Sequence, residues 1–95
     1  MHDEHDAYNA ALMVELGGVI RDARGQHAWT QRDLADAAGV HVNVVGSVER
    51  GRNTMRLSTL VQLAVALGTT SSDLLRESDR RVKAAAEGDG RAGGS

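Results

Sequence analysis

The sequence predicts an all-α domain, a compact five-helix bundle set between a disordered acidic leader and a disordered glycine-rich tail. Two observations predict it. Apolar residues recur at steps of three and four through most of the chain, and the breaks between those runs carry helix-start and helix-stop residues. The first run extends from about Asn9 to Gln26, with Leu12, Leu16, Val19, Ile20 and Ala23 on one face. Gly17 and Gly18 interrupt it at a cost on the order of 1 kcal/mol each relative to alanine. Close approach of a neighbouring helix is the expected reason for them.

The second run opens at Thr30, a good N-cap, with Asp33 placed to complete a capping box. Trp29 and Leu34 flank the cap as a hydrophobic staple. Leu34, Ala35 and Ala38 then share one face, and Gly39 stops the helix where a positive backbone dihedral costs least. Val40 plugs the turn. A third run follows from His41, with Val45 and Val48 inward, and ends at Gly51. Two short helices across a tight glycine turn make a helix-turn-helix pattern.

Leu57, Leu60, Val61, Leu63, Ala64 and Leu67 form the strongest apolar face in the chain, and all of it is expected to be core, closed by Gly68. Thr70 with Asp73 makes a second capping box and opens a last helix carrying Leu74 and Leu75. Beyond Glu77 the chain keeps helix-forming residues, but Val82 is its one large apolar side chain there. The expected organisation is a leader at 1–8, the domain at 9–77, and a helical extension with a flexible tail at 78–95.

Composition narrows the function. Ninety-five residues make one small domain. With no cysteine there is no disulfide framework and no Cys-based zinc site. His2 and His5 stand alone in the leader and are read as solvated, so no metal site is expected. No apolar run approaches the roughly 20 residues that span a bilayer, and the acidic N-terminus lacks the pattern of a signal peptide. A cytoplasmic protein without membrane contact is the expectation. No nucleophile–base pair and no phosphate-cradling glycine loop can be assembled, so neither enzymatic activity nor a cofactor is expected.

The net charge of −2 conceals an asymmetry. Residues 1–20 hold four acids and no Lys or Arg; residues 21–56 hold six arginines against four acids; residues 57–95 balance five against five. The basic excess lies on the helix-turn-helix, where it favours a polyanionic partner. Its small size predicts weak non-specific affinity and a shallow salt dependence.

From Leu16 to Leu75 the chain resembles the Cro/repressor (XRE-like) helix-turn-helix family, whose fold is of the lambda-repressor type. The matching pieces are Leu16-Gly17, Ile20 and Arg24; Thr30-Gln31, Leu34-Ala35 and Gly39-Val40; Val45, Val48 and Glu49-Arg50-Gly51; and Leu57, Leu60, Leu63-Ala64 and Ala66-Leu67-Gly68. The resemblance implies that the third helix enters the major groove of double-stranded DNA, with Val42, Asn43 and Ser47 meeting base edges. Asn43 would bond bidentately to adenine and Val42 would pack on a thymine methyl. Gln31, His41, Arg50, Arg52, Asn53 and Arg56 would hold the sugar–phosphate backbone. Arg24 and Glu49 match a family ion pair that fixes the angle of the reading helix.

Departures from the family pattern fall at His41, where Ser or Thr usually caps the reading helix, and at Ala28, where glycine is common. Gly46 takes a position usually polar, and Arg56 replaces the usual Ser cap of the fourth helix. Together with Val42 and Val44, Gly46 leaves an apolar reading face. The resemblance implies a homodimeric repressor or a restriction–modification controller on a two-fold operator, with Leu75 and Val82 as candidate dimer contacts. The apolar face motivates an alternative, an interaction module such as an antitoxin that binds its toxin.

Overall fold

A computed structural model describes residues 2–52 and 55–94. Five helices follow one another: α1 (His2–Gln26), α2 (Gln31–Ala38), α3 (Val42–Glu49), α4 (Leu57–Ala66) and α5 (Ser71–Gly94). The two long helices, α1 and α5, pack on each other; α1 also backs α3, α2 packs on α3 and α4, and α4 meets α5. Every helix contributes to one core, through Leu16, Val19 and Ile20, then Leu34, Ala35 and Ala38, then Val45 and Val48, then Leu60, Leu63 and Ala64, and lastly Leu74. Burial of these side chains is the main favourable term, at roughly 1.5–3 kcal/mol for each large one.

The helix ends follow local chemistry. Thr30 Oγ1 accepts the Asp33 amide at 3.0 Å while Asp33 Oδ2 accepts the Thr30 amide at 2.9 Å, a complete capping box. Gly39 ends α2 in the left-handed region at φ 71°. At α5 only the forward half of the box is made: Thr70 accepts from the Asp73 amide at 3.1 Å, and the Asp73 carboxylate turns to Arg76 at 2.9 Å. Arg56 gives α4 no side-chain cap. Ala28, in the bend between α1 and α2, sits at φ 58°, the left-handed region that glycine occupies without strain.

The long helices reach further than their apolar patterns. The helix α1 begins at His2 rather than near Asn9, and α5 continues through the glycine-rich segment to Gly94. Polar contacts explain part of this. Arg81 bridges from Glu77 to Asp22 of α1, each at 3.0 Å, the Tyr8 hydroxyl donates to Asp79, and Ser78 is buried with its hydroxyl on the Leu74 carbonyl at 2.7 Å.

One expectation about the core is corrected. Leu57 and Val61 do not join it: Leu57 is 71% exposed and Val61 42% exposed, and Val65 beside them is 70% exposed. Core residues Leu60, Leu63, Ala64 and Leu67 occupy one side of α4, and Leu57, Val61 and Val65 form a separate stripe at four-residue steps. Among the described residues no helix is long and apolar enough to cross a membrane.

Candidate nucleic-acid interface

The helix α3 is held from behind. Gly17 of α1 lies against its C-terminal end: a Cβ there would come within 2.4 Å of the Val48 carbonyl oxygen and 2.8 Å of that of Glu49. Only glycine admits so close an approach. Glu49 is buried, and Arg24 grips it with two bonds, Nε to Oε2 at 2.6 Å and Nη2 to Oε1 at 2.9 Å. The remaining Arg24 Nη1 donates to the Trp29 carbonyl at 2.8 Å, so one guanidinium joins α1, the α1–α2 bend and α3. The carboxylate it holds raises the Arg24 pKa above its ordinary value.

Gln31, expected at a phosphate, has one amide N–H already engaged: it is half-buried and donates from Nε2 to Glu49 Oε1 at 3.1 Å. Its second N–H is a further donor at the start of α2. Gly46 lies buried on the same side of α3, where a Cβ would stand 3.2 Å from Arg50 Nη1 and 3.5 Å from Gln31 Oε1. The bare backbone at Gly46 is therefore the floor on which the Arg50 guanidinium and the Gln31 amide rest.

His41 caps α3, with Nδ1 accepting the Asn43 amide at 3.0 Å. A ring that accepts at Nδ1 carries its proton on Nε2, so the imidazole offers a donor beyond the helix end. His27 does comparable work elsewhere: it stacks on Trp29 at 4.4 Å and its Nε2 donates to the Leu67 carbonyl at 3.0 Å, closing α4.

With Val45, Val48 and Glu49 inward, α3 turns Asn43 and Arg50 fully outward and Ser47 partly so. Val42 and Val44 are half-buried and packed against the core, which leaves the exposed face less apolar than the sequence alone implies. An open cleft of about 320 Å³ runs beside it, lined by Asn43, Val44, Ser47 and Val48 on one wall and Met55, Arg56 and Thr59 on the other. Arg50, Arg52 and Arg56 are exposed around this face and, among the described residues, pair with no carboxylate. Arg76, Arg80 and Arg81 on α5 are all paired. Arg21, Arg32 and Lys83 are likewise exposed and, among the described residues, in no ion pair, but they stand one each on α1, α2 and α5. The group of three at Arg50, Arg52 and Arg56 is the one gathered beside α3. Asn53 lies outside the described residues, and among the described ones no group of three or more His, Asp or Glu gathers as a metal site would.

The helix-turn-helix family model HTH_3 matches residues 20–75, from the end of α1 into α5. The chain belongs to this family of helix-turn-helix DNA-binding transcription regulators. Among curated relatives, the control protein C.SmaI of Serratia marcescens is 41% identical over 60 residues, 63% of this chain and 71% of that protein. The clp gene regulator ClgR of Corynebacterium glutamicum superposes with a TM-score of 0.78 at 30% identity, over 85% of this chain and 86% of that one. The restriction–modification controller protein C.AhdI of Aeromonas hydrophila superposes with a TM-score of 0.63 at 32% identity, over 65% and 94%.

Proposed function

We propose that this member of the HTH_3 family is a sequence-specific, non-enzymatic transcriptional regulator. It acts in the cytoplasm as a homodimer on a two-fold DNA operator, as a repressor or a restriction–modification controller. The observation that carries the reading is the exposed face of α3, where Asn43 and Ser47 stand beside three arginines that pair with no carboxylate among the described residues. Base edges are read by short polar side chains held at a fixed angle, and phosphates by mobile cations at the margins. Gln31, with one N–H already spent on Glu49, and His41, with Nε2–H outward, supply further backbone donors. The names of C.SmaI and C.AhdI as control and controller proteins support the regulatory role.

The competing reading, a protein-binding module such as an antitoxin, drew on an apolar reading face. Val42 and Val44 lean into the core and Gly46 lies beneath Arg50, so the exposed face is chiefly polar and cationic. The deciding measurement is binding to duplex from the protein's own upstream region against scrambled duplex, at two salt concentrations. Tighter binding to the first, with affinity that falls as salt rises, is expected. Equal affinity for both at physiological salt would sink the reading. Reversing Arg52 and Arg56 to Glu should abolish the salt-sensitive part of binding.

A further inference from the structure

The helix α3 is tied down unevenly. Its last residue, Glu49, takes bonds from Arg24 of α1 and Gln31 of α2, so its rear is held by two neighbouring helices. At its first turn, among the described residues, one side chain accepts an amide: His41, whose Nδ1 takes the Asn43 N–H at 3.0 Å. No acidic residue stands in that turn to share the task. The amide so held belongs to the residue that the functional reading sets against a base. We propose that His41 is a positioning residue for Asn43, and that its proton state sets how well α3 discriminates between DNA sequences. This rests on the reading of α3 as a base-reading helix and adds a control to it.

The other side-chain caps differ in kind. Thr30 caps α2 and Thr70 caps α5, each through a hydroxyl oxygen that stays an acceptor at any pH near neutrality. An imidazole does not. A proton added at Nδ1 turns that nitrogen from acceptor to donor, so two N–H groups then face each other. Turning the ring cannot restore the cap, because both nitrogens of an imidazolium donate. The new charge also lands at the positive end of the helix dipole, where a cation is disfavoured. An eight-residue helix has little strength of its own to keep its first turn without a cap.

No ion pair competes with the cap for the ring. Of the helices packed on α3, α2 carries Arg32, Asp33 and Asp36, with Asp33 engaged on the Thr30 amide. The α1 helix meets the far end of α3 at Gly17, and its Arg24 is spent on Glu49. Arg56 stands across the cleft, and Arg50 follows Glu49 at the rear of α3 itself. Among the described residues His41 forms no ion pair with any carboxylate.

On DNA the two effects of the proton part company. An imidazolium adds one positive charge toward phosphate, which favours any duplex alike. Loss of the Asn43 tether weakens the contacts that depend on where Asn43 points. Acid should therefore lower the preference for an operator without lowering affinity for DNA in general.

The test measures binding of the full chain to duplex from its own upstream region and to scrambled duplex, at about pH 8 and about pH 5.5, the span in which histidines change charge. The ratio of the two affinities should fall about fivefold per protomer in acid, as loss of a helix cap implies, while scrambled duplex binds no more weakly. His41→Thr, whose cap acid leaves intact, should bind both duplexes more weakly for want of the Nε2–H, yet keep one ratio at both pH values. His41→Ala should show the low ratio at both. In the free protein the Asn43 amide proton resonance should move upfield on acidification, and stay fixed in His41→Thr. The proposal is overturned if the unmodified protein keeps its preference in acid, if His41→Thr loses it as the unmodified protein does, or if the Asn43 amide does not respond. The second result would assign the titration to another group, with His27 the first candidate. Absence of preference at the higher pH would instead sink the functional reading, and the amide resonance would still decide whether a proton opens the cap.

Discussion

At the scale of single residues, backbone conformation and bare space matter as much as contacts. Ala28 is held at φ 58°, which costs a residue with a Cβ roughly 1–2 kcal/mol. Ala28→Gly should therefore raise stability by about 1 kcal/mol in urea denaturation, even after the greater freedom of glycine in the unfolded chain is counted. DNA affinity should not change. Gly46→Ala separates stability from function. Alanine gains about 1 kcal/mol of helix propensity, and the contact it makes at 3.2 Å is with the flexible end of Arg50. The variant should melt higher and bind duplex more weakly, because the displaced guanidinium no longer rests on the helix. If affinity holds, Arg50 is not a backbone contact in this pose. Asn43→Ala should relax sequence preference by roughly 1–3 kcal/mol, read as the ratio of affinities for operator and single-base variants.

At the scale of elements, α3 is an eight-residue helix too short to be stable alone, and its position comes from the groups behind it. Glu49 has 4% of its side chain exposed and Arg24 18%. Glu49→Gln leaves the guanidinium with a neutral partner and should cost about 3 kcal/mol in chemical denaturation, near the low end for a broken buried pair. The α2 cap and the glycine turn were readable from spacing, because each is a local rule of a few residues. The Arg24–Glu49 pair joins residues 25 apart and came from the family resemblance alone. The two faces of α4 were not. LSTLVQLAVA is apolar at so many positions that periodicity names a helix without saying which flank turns inward. Nor could spacing show that Gln31 reaches Glu49, since that bond joins two helices.

For the whole molecule, the packing of α5 on α1 depends on charge as well as on apolar contact. Hydrogen bonds from Arg80 and then Arg81 lower the Glu77 pKa from 4.5 to about 2, and Arg81 carries the link on to Asp22. A carboxylate depressed in the fold stabilises it above the unfolded value and ceases to as pH falls through the folded one. Stability should thus decline between about pH 4.5 and 2, and Glu77→Gln should flatten that part of a urea-midpoint profile. An unchanged profile would mean that the Glu77–Arg81–Asp22 link adds nothing to folding. These contacts escaped the sequence reading because a search for apolar periodicity passes over helices joined by Arg, Asp and a buried Ser.

The bare crossing at Gly17 has a consequence for how such a protein can change. It receives the carbonyls of Val48 and Glu49 from the rear of α3, opposite the side that carries Asn43 and Ser47. The mounting and the message therefore occupy different residues of one short helix. On the proposed reading, Asn43 and Ser47 are the residues to exchange for a new operator while the mounting stays as it is, and α3 is the place to graft other specificities. Gly17→Ala, by contrast, should disturb readout of every operator alike.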